Sequence, residues 1–215
     1  MDKATVSDYN THWGIADSHP LVDVPEGSQV AGHDKHSGFP ASKIHITAEC
    51  PIFRQAVPED IHIISGILRA AAERMMAQGK KQWDEKYPTE THVASDIKRG
   101  EGHVLTSEGK IIAYGAVVTD GEPAYENISG KWLSDRQYVV VHRMAVSMEH
   151  ECKGVGRTFL EHVEQYARSR GTYSFRVDTN FDNFAMLRLL EKSGFTYCGE
   201  ISYNGSPRKA FEKLL

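Results

Sequence analysis

Two glycines, Gly154 and Gly156, stand between a β-branched run and an amphipathic repeat, and that junction is where the chain is best placed to do chemistry. Upstream, residues 138–141 read Tyr-Val-Val-Val, a composition suited to a strand covered on both faces. The run continues as His142-Arg143-Met144-Ala145-Val146. Downstream, Phe159, Leu160, Val163, Tyr166 and Ala167 recur at helical spacing. The first turn of a helix carries unpaired N–H groups and a partial positive charge, and glycine lets a ligand approach the backbone closely. The chemistry this suits is the binding of a phosphate or pyrophosphate, and so of a phosphorylated cofactor.

Two familiar phosphate-binding patterns fit poorly. A P-loop needs Lys-Ser or Lys-Thr after its last glycine, where this chain has Arg157-Thr158. A dinucleotide fingerprint needs glycine or alanine at position 159, which is Phe159, although Asp178 lies near the distance expected of its acidic residue. A third pattern fits better. Met144-Ala145-Val146 followed by Gly154-Val155-Gly156, and then Asn183, Leu189, Glu191, Lys192, Gly194 and Phe195, resembles the two acetyl-CoA motifs of the GCN5-related N-acetyltransferases (GNAT), in the family's order. The resemblance runs from about residue 52 to the C-terminus, the usual size of one domain.

The resemblance implies acetyl-CoA as co-substrate and acetyl transfer to a primary amine. It places the main chain of Met144 at the thioester carbonyl and that of Val146 along the pantetheine arm. It assigns the pyrophosphate to the segment Lys153, Gly154, Val155, Gly156, Arg157 and Thr158, and the pantetheine arm also to Asn183, just after a candidate N-cap at Asp182. Asn183 is equally suited to plain helix-start chemistry. Two letters depart from the pattern. Glu151 stands where the family has a donor, with Lys153 and Arg157 able to compensate, and Leu190 stands where many members have the tyrosine that protonates the departing thiolate.

Acetyl transfer to an amine requires deprotonation of the amine, whose pKa is about 10.4 if lysine-like, and a preorganised donor for the carbonyl oxygen. By resemblance, His142 is the candidate base. In an unbroken strand its side chain and that of Met144 would share a face. A histidine there could equally just tie strands together. For the acceptor, the resemblance points to residues 82–88, where Trp83 and Tyr87 would wall the amine's stem and Asp84 or Glu85 would attract its charge. Both aromatics could equally anchor the loop. Glu122 and Tyr125 are further candidates for the same pocket, and Tyr203 and Cys198 for the missing acid. The competing reading is a non-catalytic CoA-binding or regulatory module of the same fold.

These residues must be positioned by an element order that reads β-α-α-β-β-β-α-β-α-β-β. The strands and helices are expected at 52–56, 58–77, 89–99, 103–107, 110–118, 138–146, 154–170, 173–179, 182–193, 195–203 and 209–214, with a loose polar segment at 119–136. This is an α/β class with a mixed central sheet flanked by helices. Residues 1–50, rich in Ser, Gly, Asp, His and Pro, read as a poorly structured or tag-like extension to a domain at 51–215. Within it, His33-Asp34-Lys35-His36 reads as solvated, and no metal site is expected. A net charge of −4 over 215 residues offers no basic field for nucleic acid. No apolar run suits a membrane span and no signal peptide is expected. Cys50, Cys152 and Cys198 suggest reduced thiols and a cytoplasmic protein. A homodimer is compatible with the chain.

Overall fold

Strand β5, Val139–Val146, is the element around which the fold is arranged. The computed structural model describes residues 50–150, 154–203 and 205–215. The expectations for the N-terminal extension, including His33-Asp34-Lys35-His36, and for Glu151, Cys152 and Lys153 lie outside the described residues. Before β5 come β1 (Ile52–Gln55), α1 (Ile61–Ala77), α2 (Glu90–Lys98), β2 (Gly102–Ser107), β3 (Lys110–Val118) and β4 (Ser129–Gly130). After it come α3 (Val155–Ser169), β6 (Ser174–Thr179), α4 (Phe184–Lys192), β7 (Thr196–Tyr203) and β8 (Ser206–Leu214). One sheet takes the order β1-β2-β3-β5-β6-β8-β7-β4, with β5 and β6 parallel and the other neighbours antiparallel. The chain therefore has the expected mixed α/β architecture. Among the described residues no helix is long and apolar enough to cross a membrane.

Local sequence explains most elements. Ile64, Leu68, Ala71 and Ala72 form the buried stripe of α1. Glu108 and Gly109 both take positive φ, 51° and 74°, the two-residue turn that matches strand twist in the β2–β3 hairpin. On α3, Val155, Phe159, Leu160, Val163 and Ala167 are buried, and they meet Phe175 and Val177 of β6 in one core. The segment expected to be loose, 119–136, holds a 3-10 turn at Pro123–Tyr125 and strand β4. A two-residue strand carries no periodicity from which it could be read, and β4 exists because Gly130 and Gly199 let its backbone press against β7.

The sheet is irregular at its centre. Pairing between β5 and β6 covers only Val139↔Phe175 and Val140↔Arg176, after which the strands part. On the other edge of β5 the register with β3 runs Ala116↔His142 and then Tyr114↔Ala145, so Gly115 faces both Arg143 and Met144. The extra residue is a bulge, and Arg143 adopts φ 52° within it. Val139, Val141, Met144 and Val146 consequently pack toward α3, while Ala145 packs toward α1. His142 falls on the side opposite Met144, facing Glu122. The expectation that His142 and Met144 share a face fails because it assumed an unbroken alternation.

Gly115 opposes the bulge under the Phe159 ring, where an added Cβ would sit 2.8 Å from a ring carbon. Gly115→Ala should cost about 1–3 kcal/mol through overpacking. Gly66 in α1 has no heavy atom within 4 Å of an added Cβ. Gly66→Ala should stabilise by up to about 1 kcal/mol. Urea midpoints at unchanged slope would check both.

Candidate active site

The parting of β5 from β6 opens a cavity of about 460 Å3, in the range of small-molecule sites. His142, Arg143 and Met144 line it from β5, Asp178 and Thr179 from β6, and Asn183 and Met186 from the start of α4. The α1–α2 connection adds Gln82, Trp83 and Tyr87, and Glu122, Tyr203 and Arg208 complete the wall. Of the expected site residues, His142, Met144, Asn183, Trp83, Tyr87 and Glu122 thus meet at one cavity. Trp83 is both wall and anchor, since it is 5% exposed and belongs to the core beneath α1. Asp84 and Glu85 do not reach this cavity and line a separate cleft beside α1. Tyr125 is also absent from the wall: it is buried among Val140, Ile201 and Ala210.

The bulge is held by a buried ion pair. Arg143 donates from Nε to Asp96 Oδ2 at 2.8 Å, from Nη2 to Asp96 Oδ1 at 2.7 Å, and from Nη1 to the Tyr87 hydroxyl at 3.2 Å. Asp96, only 1% exposed, also accepts from the Tyr114 hydroxyl at 2.7 Å and from Arg99 at 2.8 Å. Burial, followed by the Asp96 charge, pushes the Tyr114 hydroxyl well above the ordinary phenol range, so it stays a donor. A non-glycine residue at positive φ persists only where its surroundings over-determine it, and Asp96 supplies that constraint.

A second polar group surrounds His142. Its Nε2 lies 2.9 Å from Oε2 of Glu122, at an angle poorer than that of an aligned hydrogen bond. His142, with the Ala124 N–H, holds the Glu122 carboxyl below its ordinary range against the effect of burial. Asp178 accepts from the hydroxyls of Tyr125 at 2.8 Å and Tyr203 at 3.4 Å. Burial pushes the Asp178 carboxyl upward, with the His142 and Arg208 charges and the Tyr125 hydrogen bond only partly offsetting it. Burial, then Asp178 and Glu122, keeps Tyr203 protonated. The loop carrying Glu122 is tied down by Arg176 of β6, which bonds the Ser134 carbonyl, lies 3.3 Å from Glu212, and sits beneath the Trp132 and Tyr138 rings.

At the other end, α3 begins with Gly154 as N-cap at φ 79° and no side-chain cap. Thr158 N–H closes the first turn onto the Gly154 carbonyl at 3.0 Å, which leaves the amides of Val155, Gly156 and Arg157 as the open donors of the helix start. An added Cβ at Gly156 would lie 3.2 Å from Leu189 and 3.5 Å from Met144, so glycine there lets α3, α4 and β5 converge. Arg157 is largely exposed and pairs with Glu161 at 2.9 Å. Val146 continues the β5 edge that β6 leaves unpaired. Asn183, rather than Asp182, is the N-cap of α4: its Oδ1 accepts from Met186 at 3.3 Å and its Nδ2 donates to Gln82 at 3.2 Å. Leu190 is fully buried in the α3 core and does not line the cavity. Cys198 does not line it either.

An uncapped helix start, glycines at its first turn and an unpaired strand edge leading into a cavity form the arrangement that the two motifs implied. A model of the acetyltransferase (GNAT) family matches residues 68–195. The chain belongs to the GNAT family. An acetyltransferase of the family from Streptococcus agalactiae is 30% identical, with 78% of this chain and 97% of that one covered and a TM-score of 0.72. A putative acetyltransferase from Salmonella typhimurium, solved with its cofactor acetyl-CoA, shares the fold at 20% identity and a TM-score of 0.57, covering 78% of this chain and 95% of that one. N-acetyltransferase family 8 member 3 of Rattus norvegicus is 27% identical over 132 residues, 55% of this chain and 54% of that protein. The chain spans about half the length of this curated relative.

Sequence reasoning about this GNAT chain passed over Asp96, Arg143 and Arg208. Arg143 is a strand letter until its partner is known, and Asp96 lies 47 residues away on α2. Arg208 sits near the start of the hairpin strand β8 with no motif around it. Asp96→Ala would strand a buried guanidinium and should cost about 3–5 kcal/mol in urea unfolding, whereas replacing Asp96 and Arg143 together by leucines should recover part of that loss.

Proposed function

We propose that the protein transfers an acetyl group from acetyl-CoA directly to a primary amine. The observation that supports this reading is the cavity, whose wall holds His142 with its Nε2 2.9 Å from Glu122 and also Met144 of the open β5 edge, against which Gly156 of the α3 start packs. When bound, acetyl-CoA supplies an activated acyl carbonyl. The chain supplies the rest. The amides of Val155, Gly156 and Arg157, with Gly154 keeping the approach open and Lys153 nearby in sequence, hold the pyrophosphate. The main chain of Met144 and Val146 offers hydrogen-bonding groups to the carbonyl and the pantetheine arm, and Asn183 fixes the start of α4 beside it. That a structural relative of the same fold was solved with acetyl-CoA supports this assignment.

On the acceptor side, Trp83 and Tyr87 wall the amine's stem. His142 takes the proton that the ammonium must lose, and the ionised Glu122 steadies the imidazolium that results. Leu190, locked in the core, has no proton to give. Tyr87, Tyr203 and Thr179 provide the hydroxyls of the cavity wall, and the departing thiolate is left to one of the two phenols or to water.

Two measurements test the reading. Acetyl-CoA should raise the melting temperature by binding the folded state, and replacing Gly154 and Gly156 together with valine should abolish that shift while circular dichroism stays native-like. An unchanged shift in the double variant would remove the site from α3. His142→Gln should leave the acetyl-CoA shift intact and lower turnover about 10²-fold near neutral pH. A rate within about threefold of wild type from about pH 6 to about pH 9 would take His142 out of the mechanism.

A further inference from the structure

We propose that the amine acceptor also carries a carboxylate and that Arg208 binds it. This rests on the acetyl-transfer reading and narrows its substrate to the amino-acid class. Two guanidiniums line the cavity, and they differ in how they are used. Arg143 is fully engaged by Asp96 and Tyr87. Arg208, on β8 opposite Ile201, makes no hydrogen bond or ion pair among the described residues, and its Nε is buried without a partner. A guanidinium presents a planar fork of donors that matches a carboxylate in bidentate fashion. Leaving such a donor buried and unpaired is unfavourable unless a ligand completes it.

Asp178 does not take that role. Its charge and that of Arg208 sense each other, but Asp178 already accepts from Tyr125 and Tyr203, and burial pushes its carboxyl toward the neutral form. Arg208 is therefore an anion-seeking group in the same cavity as Glu122 and His142, which face a cation. A cavity with an ionised carboxylate on one wall and a free guanidinium on another complements a zwitterion. It disfavours a polyamine, whose second cation would meet Arg208, and it offers a plain alkylamine nothing for that guanidinium. Met75, Met186 and Trp83 supply an apolar wall for a side chain.

The test compares amino acids with the amines that lack only the carboxylate: L-phenylalanine with phenethylamine, L-leucine with isoamylamine, L-methionine with 3-methylthiopropylamine. The α-amino group is intrinsically more acidic than its alkylamine counterpart, so the deciding quantity is how the kcat/KM ratio within a pair changes on mutation. Arg208→Gln should lower that ratio roughly 10- to 100-fold, mainly through KM of the amino acid, and Arg208→Lys should recover part of it. A second measurement needs no variant: with the wild-type protein, 3-phenylpropionate should compete with the acceptor at least about tenfold more tightly than 3-phenylpropionamide. Turnover confined to the amines, a ratio unmoved by Arg208→Gln, or equal inhibition by acid and amide would overturn the proposal while leaving acetyl transfer intact. Acetyl-CoA binding with turnover of neither class would overturn both.

Discussion

The ion pair between Asp96 and Arg143 is the constraint on which the site depends. A left-handed backbone at a non-glycine residue carries a strain of about 1–3 kcal/mol, and nothing in the arginine side chain itself favours that conformation. The guanidinium is gripped by both oxygens of a carboxylate that is only 1% exposed, and that carboxylate is fixed in turn by Tyr114 and Arg99. Removing water from such a pair is expensive, so the pair is a poor source of stability compared with apolar packing. What it supplies is position. It turns the chain at Arg143 and hands opposite faces of one strand to different tasks.

A parallel pair of strands normally stays paired, so the opening between β5 and β6 needs a cause. The two strands meet only at their start, where Val139 and Val140 face Phe175 and Arg176. Beyond that point β5 is bent by the bulge and β6 is drawn toward β8, with which it pairs from Ser174 to Thr179. Arg176 occupies the last paired position and is clamped by Glu212, the Ser134 carbonyl and two aromatic rings. The same clamp holds the 119–138 segment down, and Glu122 rides on that segment. One buried guanidinium thus fixes the point where the sheet opens, and the other fixes how β5 is shaped after it.

The parts of this design that were legible in the sequence are those governed by local rules. A glycine pair before an amphipathic repeat, a β-branched run and a helix-start asparagine each state their structure within a few residues, so the α3 turn, β5 and α4 could be placed with their motifs. The bulge could not be read this way, because its causes are Asp96 on one helix, Gly115 on a neighbouring strand and the ring of Phe159. The family resemblance of residues 82–88 offered Asp84 or Glu85 as the group that attracts the amine's charge, and they turn instead to a separate cleft. Glu122 could be named as a candidate but not placed, because its segment has no periodicity, and Arg208 lies on a hairpin strand with no motif around it. Where chemistry is done by side chains from distant segments, sequence order conceals it.

The two halves of the site therefore differ in kind. The end at α3 is made of backbone amides, and its side-chain requirement is mostly negative: Gly154 for a positive φ, Gly156 for closeness. The end at His142 is made of side chains gathered from β5, β6, β8, the 119–138 segment and the α1–α2 connection. The bulge is where these halves join, and packing enforces it from both faces. Without the extra residue, Met144 and Val146 would turn out of the α3 core and Ala145 would turn into it, since a one-residue slip exchanges the faces of a strand. Two large apolar side chains would then be stranded against α1, where only an alanine fits, and a methyl group would be left to fill the space beneath α3. The hydrophobic cores select the bulged register and the Asp96–Arg143 pair holds its unfavourable torsion, so the relation of His142 to the main chain of Met144 is set by the whole domain rather than by the strand that carries them both.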